Sequence, residues 1–196
     1  MREAANIDGK KVVVRDDIYT WSNFISLTRV LVVFPIIWLH MENDYQVNNM
    51  IWALIIYGAV SDYIDGWVAR WRDEVSELGK VLDPVADKVM AFFLFLYTVW
   101  LGWIPLWYFA LGVTRDLLIM AGSAHIKKKR GKVAMSIMSG KVSVNVMGIY
   151  WISVFFFPEA ESAHKFLMVV SVVLMVVSFI EYKKRYYQII KGADFN

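Results

Sequence analysis

Polar and apolar residues follow one another along this chain in long blocks rather than in short alternations. Six apolar runs, roughly 24–40, 50–69, 83–101, 106–124, 133–157 and 166–179, are separated by short polar stretches. A helix needs about 20 apolar residues to cross a hydrocarbon core of about 30 Å, at about 1.5 Å of rise per residue. The pattern predicts an all-α fold: an integral membrane bundle of six transmembrane helices in one domain, residues 24–185. A segment 1–23 precedes it and a polar tail 186–196 follows it. Residues 18–24 mix Tyr, Trp and Phe with polar groups, which suits an interfacial helix or turn, and residues 1–10 read as a disordered tail. The short stretches 102–105 and 158–164 read as turns, and the 70–80 linker as charged and helix-compatible.

Composition strengthens this reading. Hydrophobic residues make up 58% of the chain, against about 45–50% in soluble domains. Nine Trp and ten Tyr suit aromatic belts at the two membrane surfaces. With no Cys, a disulfide scaffold, a thiolate nucleophile and a Cys-ligated metal are all excluded. The first twenty residues are charged and lack the apolar core of a cleavable signal. A net charge of +3 is small, and no nucleic-acid partner is expected. Its distribution says more. Lys and Arg gather in the N-terminal segment, the 70–80 linker, the 127–132 run and the C-terminal end, and are missing from 41–49, 102–105 and 158–164. Such bias places both termini in the cytoplasm, in a multi-pass protein of the cell (inner) membrane.

Charges inside the apolar runs are the candidate chemistry. Asp62, Asp65, Asp83 and Asp87 would each cost about 2.5–3.5 kcal/mol at the bilayer centre without a partner. A divalent metal is the natural one. Asp62 and Asp65 share a helix face at i,i+3, as do Asp83 and Asp87 at i,i+4. Gly58, Gly66 and Ala69 fall on the stripe of the first pair, which predicts a notch there, with Arg70 at its end. Pro84 suits the first turn of the third span. An all-oxygen donor set with no His nearby favours Mg²⁺ or Mn²⁺ over zinc.

Other polar positions carry weaker signals. Asn23, Ser26 and Arg29 recur along one side of the first span; Arg29 is a functional candidate, or else it snorkels to headgroups. Arg115 and Asp116 are sequence neighbours and point around a helix, so each is expected to have another partner. Lys141 lies deep in the fifth run beside Ser139 and Ser143; Gly140 and Gly148, with Ser136, sit at multiples of four and permit close helix packing. Lys127 to Lys132 reads as a basic loop, with Lys127 to Arg130 a topology signal. His40, His125 and His164 lie near span ends and read as interfacial or solvated.

Carboxylates, a divalent metal, Arg and Lys at a cytoplasmic notch suggest phosphoryl chemistry on a lipid reached sideways from the bilayer. A carboxylate left off the metal could take the proton of an attacking hydroxyl. A cation-coupled transporter also uses intramembrane Asp, but internal repeats and broken helices would mark one, and neither is visible. The spacing Asp62-x2-Asp65-Gly66-x2-Ala69-Arg70-x8-Gly79-x3-Asp83-x3-Asp87 resembles the signature of the CDP-alcohol phosphatidyltransferase family, and the six-run plan resembles that family over the whole chain. The resemblance implies CMP displacement from a CDP-linked lipid by an alcohol, as a homodimer dependent on two Mg²⁺ or Mn²⁺ ions. It implies Asp62, Asp65, Asp83 and Asp87 as metal ligands, with Asp87 also the general base. Gly66, Ala69 and Gly79 would make room for the cytidine diphosphate, and Arg70 would bind its phosphates. Asn23, Ser26 and Arg29 are similar to the family's first-helix pattern, with Ser22 where Pro is usual. The run Leu82 to Lys88 resembles the branch that makes phosphatidylglycerophosphate or cardiolipin. That implies CDP-diacylglycerol as donor and sn-glycerol 3-phosphate as acceptor, with Arg115, Lys141 and Ser143 on the acceptor phosphate. Phosphatidylglycerol is the alternative acceptor.

Overall fold

The computed structural model describes residues 2–7, 10–15, 21–71, 75–76, 79–130 and 137–192, with side chains described for 24–61, 85–129 and 137–192. The chain is predominantly α-helical, and its helices follow the six apolar runs: α1 (Trp21–Leu31) with α2 (Val33–Glu42), then α3 (Asn49–Trp71), α4 (Gly79–Trp100), α5 (Leu106–Arg130), α6 (Met138–Phe156) and α7 (Glu161–Ile190). Among the described residues two stretches, Phe24–Glu42 and Glu161–Ile190, are long and apolar enough to cross a membrane. The first is interrupted at Val32. Pro35 lacks the N–H that would bond Leu31, and its ring crowds that carbonyl, so the run divides there.

The sequence reading missed a small sheet. Strands β1 (Arg2–Ile7) and β2 (Lys10–Arg15) pair antiparallel, with Ile7 opposite Lys10. Residues expected as a disordered tail are therefore strand-paired. A third strand, β3 (Val75–Ser76), pairs parallel to β2, Val14 with Val75 and Arg15 with Ser76. The 70–80 linker thus carries a strand. Helix α4 also begins earlier than expected, so Pro84 is its sixth residue and lies beyond the first turn.

The chain divides into two compact units, residues 1–97 and 98–196. In the first, α1 packs chiefly on α3, and α2 on α3. The buried side of α1 and α2 reads Ser26, Arg29, Val33, Ile36, His40, at alternating steps of three and four. Phe24, Leu27, Leu31, Phe34 and Trp38 are exposed on the other side. Polar groups inside and large apolar groups outside is the arrangement that hydrocarbon surroundings select. His40, expected to be interfacial or solvated, is fully buried, and its Nδ1 lies 2.8 Å from the Tyr97 hydroxyl.

In the second unit α6 and α7 form an antiparallel hairpin. Gly140 opposes Tyr182, where a Cβ would lie 2.8 Å from the ring. Close packing was expected at Gly148 too, but nothing lies within 4 Å of a Cβ there. His164 Nε2 donates to the Ser153 and Phe157 carbonyls at 3.1 Å, closing the turn between the two helices. Helix α5 runs parallel to α7, with Tyr108 2.8 Å from Ser171 and Arg115 2.8 Å from Ser178. The turn into α5 rests on Gly102, whose φ of 76° suits a residue without Cβ. Gly102 N–H bonds the Val99 carbonyl and Trp103 N–H that of Thr98, the paired bonds of a Schellman stop.

Candidate active site

Arg29 organises the first unit. It leaves α1 with 1% of its side chain exposed, so it does not snorkel to headgroups. Nε donates to Ser61 Oγ of α3 at 3.2 Å, and Nη1 donates to Asp87 Oδ1 of α4. Ser61 in turn donates to the Gly58 carbonyl at 3.0 Å. A planar guanidinium with donors on several edges can tie two helices together in this way, in a fixed geometry that a lysine ammonium lacks. Asp87 is 45% exposed, so the carboxylate that Arg29 orients stays reachable.

A second contact fixes how α3 and α4 meet. A Cβ on Gly58 would lie 2.6 Å from Met90 Cε. The space that the missing side chain leaves is therefore filled by Met90, and no notch opens at Gly58. Both contacts, Gly58 with Met90 and Ser61 with Asp87 through Arg29, pair positions comparably far from the linker. The two helices thus form an antiparallel hairpin. If that register continued, the backbone at 62 would lie level with 86–87, and that at 65 level with 83–84. The side chains of Asp62, Asp65, Gly66, Ala69, Arg70, Gly79 and Asp83, and of Asn23, lie outside the described ones. Among the described residues no three metal-binding side chains cluster. Asp87 is the one acid of the motif with a described side chain.

The other candidates lie in the second unit. Arg115 does bond its neighbour: Nη1 donates to Asp116 Oδ1 at 2.8 Å, against the expectation that the two point apart. It also has the further partner expected of it, Ser178. The side chain is 6% exposed, and Nε has no hydrogen-bond partner among the described residues. Ser143 Oγ on α6 is likewise buried and unpartnered there. Lys141 is exposed.

The sequence profile of the CDP-alcohol phosphatidyltransferase family matches residues 19–177, most of the chain. The chain belongs to that family. It is a phosphatidyltransferase enzyme. Among similar proteins, a CDP-diacylglycerol–glycerol-3-phosphate 3-phosphatidyltransferase of Aquifex aeolicus is 29% identical over 178 residues, 86% of this chain and 96% of that one. CMP-forming cardiolipin synthases are similar over shorter stretches. That of Streptomyces coelicolor is 32% identical over 117 residues, 56% of this chain and 54% of its own. The rat enzyme is 30% identical over 110 residues, 56% of this chain and 35% of its own. The matched stretch is thus only a third to a half of either synthase.

Family membership covers every site position from Asn23 to Ser143. Two partners escaped the sequence reading, Ser61 and Ser178. Each is a lone hydroxyl in an apolar run. Ser178 does carry a signal: Ser171 and Ser178 on α7 are seven apart, like Tyr108 and Arg115 on α5. Matched heptad steps of polar residues mark facing positions of parallel helices.

Proposed function

We propose that the enzyme transfers the phosphatidyl group of CDP-diacylglycerol to sn-glycerol 3-phosphate, giving phosphatidylglycerophosphate and CMP. The observation that carries the acceptor is the match over nearly the full length of the Aquifex aeolicus enzyme, whose name states it. Asp62, Asp65, Asp83 and Asp87 would hold one or two Mg²⁺ or Mn²⁺ ions. The donor set is all oxygen, and the α3–α4 register, continued towards the linker, would bring the two pairs to one depth. When bound, the metal neutralises the diphosphate. Asn23, Ser26, Arg29 and Arg70 face the CDP-lipid in this reading, and Gly66, Ala69 and Gly79 leave room for it. Asp87, steadied by Arg29, takes the proton of the acceptor hydroxyl. The acceptor oxygen bonds the phosphatidyl phosphorus, the phosphorus–oxygen bond to CMP breaks, and CMP leaves with the electron pair.

Arg115 and Ser143 suit the acceptor phosphate because each buries a polar atom without a partner among the described residues, a costly state that a ligand would relieve. Arg115→Met and Lys141→Met should each raise KM for sn-glycerol 3-phosphate about tenfold to a hundredfold, the loss of one charge-assisted bond. KM for CDP-diacylglycerol should change little. Parallel KM changes for both substrates, or a lowered melting temperature alone, would contradict the assignment. A cardiolipin synthase is the second reading, supported by the Streptomyces coelicolor and rat similarities. Chelator-sensitive CMP release, assayed with sn-glycerol 3-phosphate against phosphatidylglycerol, decides between them.

In the membrane the reading has six spans, both termini and the Asp motif on the cytoplasmic side of the cell membrane, and a homodimer. The Lys/Arg asymmetry and the outward apolar faces support the spans and their orientation. With no native Cys, single-cysteine labelling tests it cleanly. Asp44→Cys and Glu159→Cys should react with an impermeant maleimide on intact cells, and Lys128→Cys only after lysis. The reverse pattern would invert the topology.

A further inference from the structure

A groove of about 410 Å³ lies between α5 and α7, in the second unit. Its lining is mostly apolar, including Leu118 of α5 and Phe179 of α7, yet Lys183 and Arg185 of α7 also border it. Gly122 keeps its α5 wall low: a Cβ there would lie 3.5 Å from the Tyr186 ring, ordinary contact, while a larger side chain would enter the groove. The position along α7 matters. The apolar run ends at Ile180, and Glu181 to Arg185 follow. Thirty residues span about 45 Å, more than the roughly 30 Å of hydrocarbon. The groove therefore straddles the depth at which hydrocarbon gives way to headgroups, with its cations on the headgroup side. Lys183 makes no ion pair among the described residues, and the acid beside it, Glu181, accepts a hydrogen bond from the Ser139 hydroxyl. Lys127, Lys128 and Lys129 add positive charge at the end of α5 beyond the groove.

We infer that this groove holds an anionic phospholipid of the surrounding bilayer, its acyl chain along Leu118 and Phe179 and its phosphate on Lys183 and Arg185. A zwitterionic lipid fits the apolar part equally well, so the cations confer the selectivity. The inference does not depend on which acceptor the enzyme uses. The probe should accordingly be a lipid that lacks an acceptor hydroxyl.

Dioleoyl phosphatidate meets that condition. Native mass spectrometry of the purified chain in detergent, titrated with dioleoyl phosphatidate or dioleoyl phosphatidylcholine, should show one phosphatidate retained about tenfold more tightly. Lys183→Gln with Arg185→Gln should abolish the preference and leave phosphatidylcholine retention unchanged. Gly122→Phe should reduce retention of both lipids, and Lys183→Gln alone, at an exposed position, keeps the test sound if that variant fails to fold. Equal retention of the two lipids by the unaltered chain would overturn the inference. So would displacement of phosphatidate by millimolar inorganic phosphate, which would make the site one for free phosphate.

Discussion

Asp83→Asn should lower CMP release by roughly two to three orders of magnitude, the size of effect seen when one fixed charge-stabilising group is removed from an active site. The protein should still insert and fold. A carboxylate is expensive at membrane depth, and its amide costs less, so the substitution relieves a local penalty instead of creating one. Asp65→Asn should behave alike, because position 65 would lie level with 83–84 if the α3–α4 register continued, and the two would share a metal. Activity need not be the only readout. Mn²⁺ bound to the purified protein gives an electron paramagnetic signal, which both variants should weaken. Near-normal turnover in either would remove the metal assignment, and lost turnover with unchanged Mn²⁺ binding would move these acids to another role.

The four acids stand out in sequence because a charge within an apolar run is conspicuous. The helices were legible for a related reason: hydrophobic blocks of this length have few alternatives. The features that were missed depend on contacts between distant residues. His40 looks the same in sequence whether water or Tyr97, 57 positions away, completes its hydrogen bond. The β2–β3 pairing joins Val14 to Val75 across the whole of α1 to α3, and no local pattern announces it. The β1–β2 pairing did leave a trace. Asp8-Gly9 is a favoured hairpin dipeptide, and Val12 to Val14 are β-branched, but the charges around them made the segment look like a tail. Gly58 shows the opposite failure. A glycine on the acid stripe suggested open space, whereas the structure fills it with the flexible Met90 side chain, a choice that spacing cannot reveal.

The contact between Arg29 and Asp87 allows the fold and the chemistry to be separated. Arg29 is almost wholly buried and Asp87 nearly half exposed, so the two ends of the pair should respond differently. Asp87→Leu takes from the buried Arg29 guanidinium the carboxylate it donates to. Breaking a buried pair from one side costs about 3–5 kcal/mol, and the partial exposure of Asp87 argues for the low end, about 3 kcal/mol. Arg29→Met leaves a carboxylate that water can still reach, so it should destabilise less, despite also losing the bond to Ser61. In the double variant the pair is removed from both sides, and its loss of stability should fall short of the sum of the two single losses. Asp87→Asn completes the set. Its amide oxygen can still accept from Arg29, so the melting temperature should stay within a few degrees of the unaltered protein while turnover collapses for want of a proton acceptor. Binding of CDP-diacylglycerol should survive in that variant. If Asp87→Asn instead unfolds the protein as thoroughly as Asp87→Leu, the carboxylate serves chiefly to neutralise Arg29. If it turns over normally, the proton leaves the acceptor by another route.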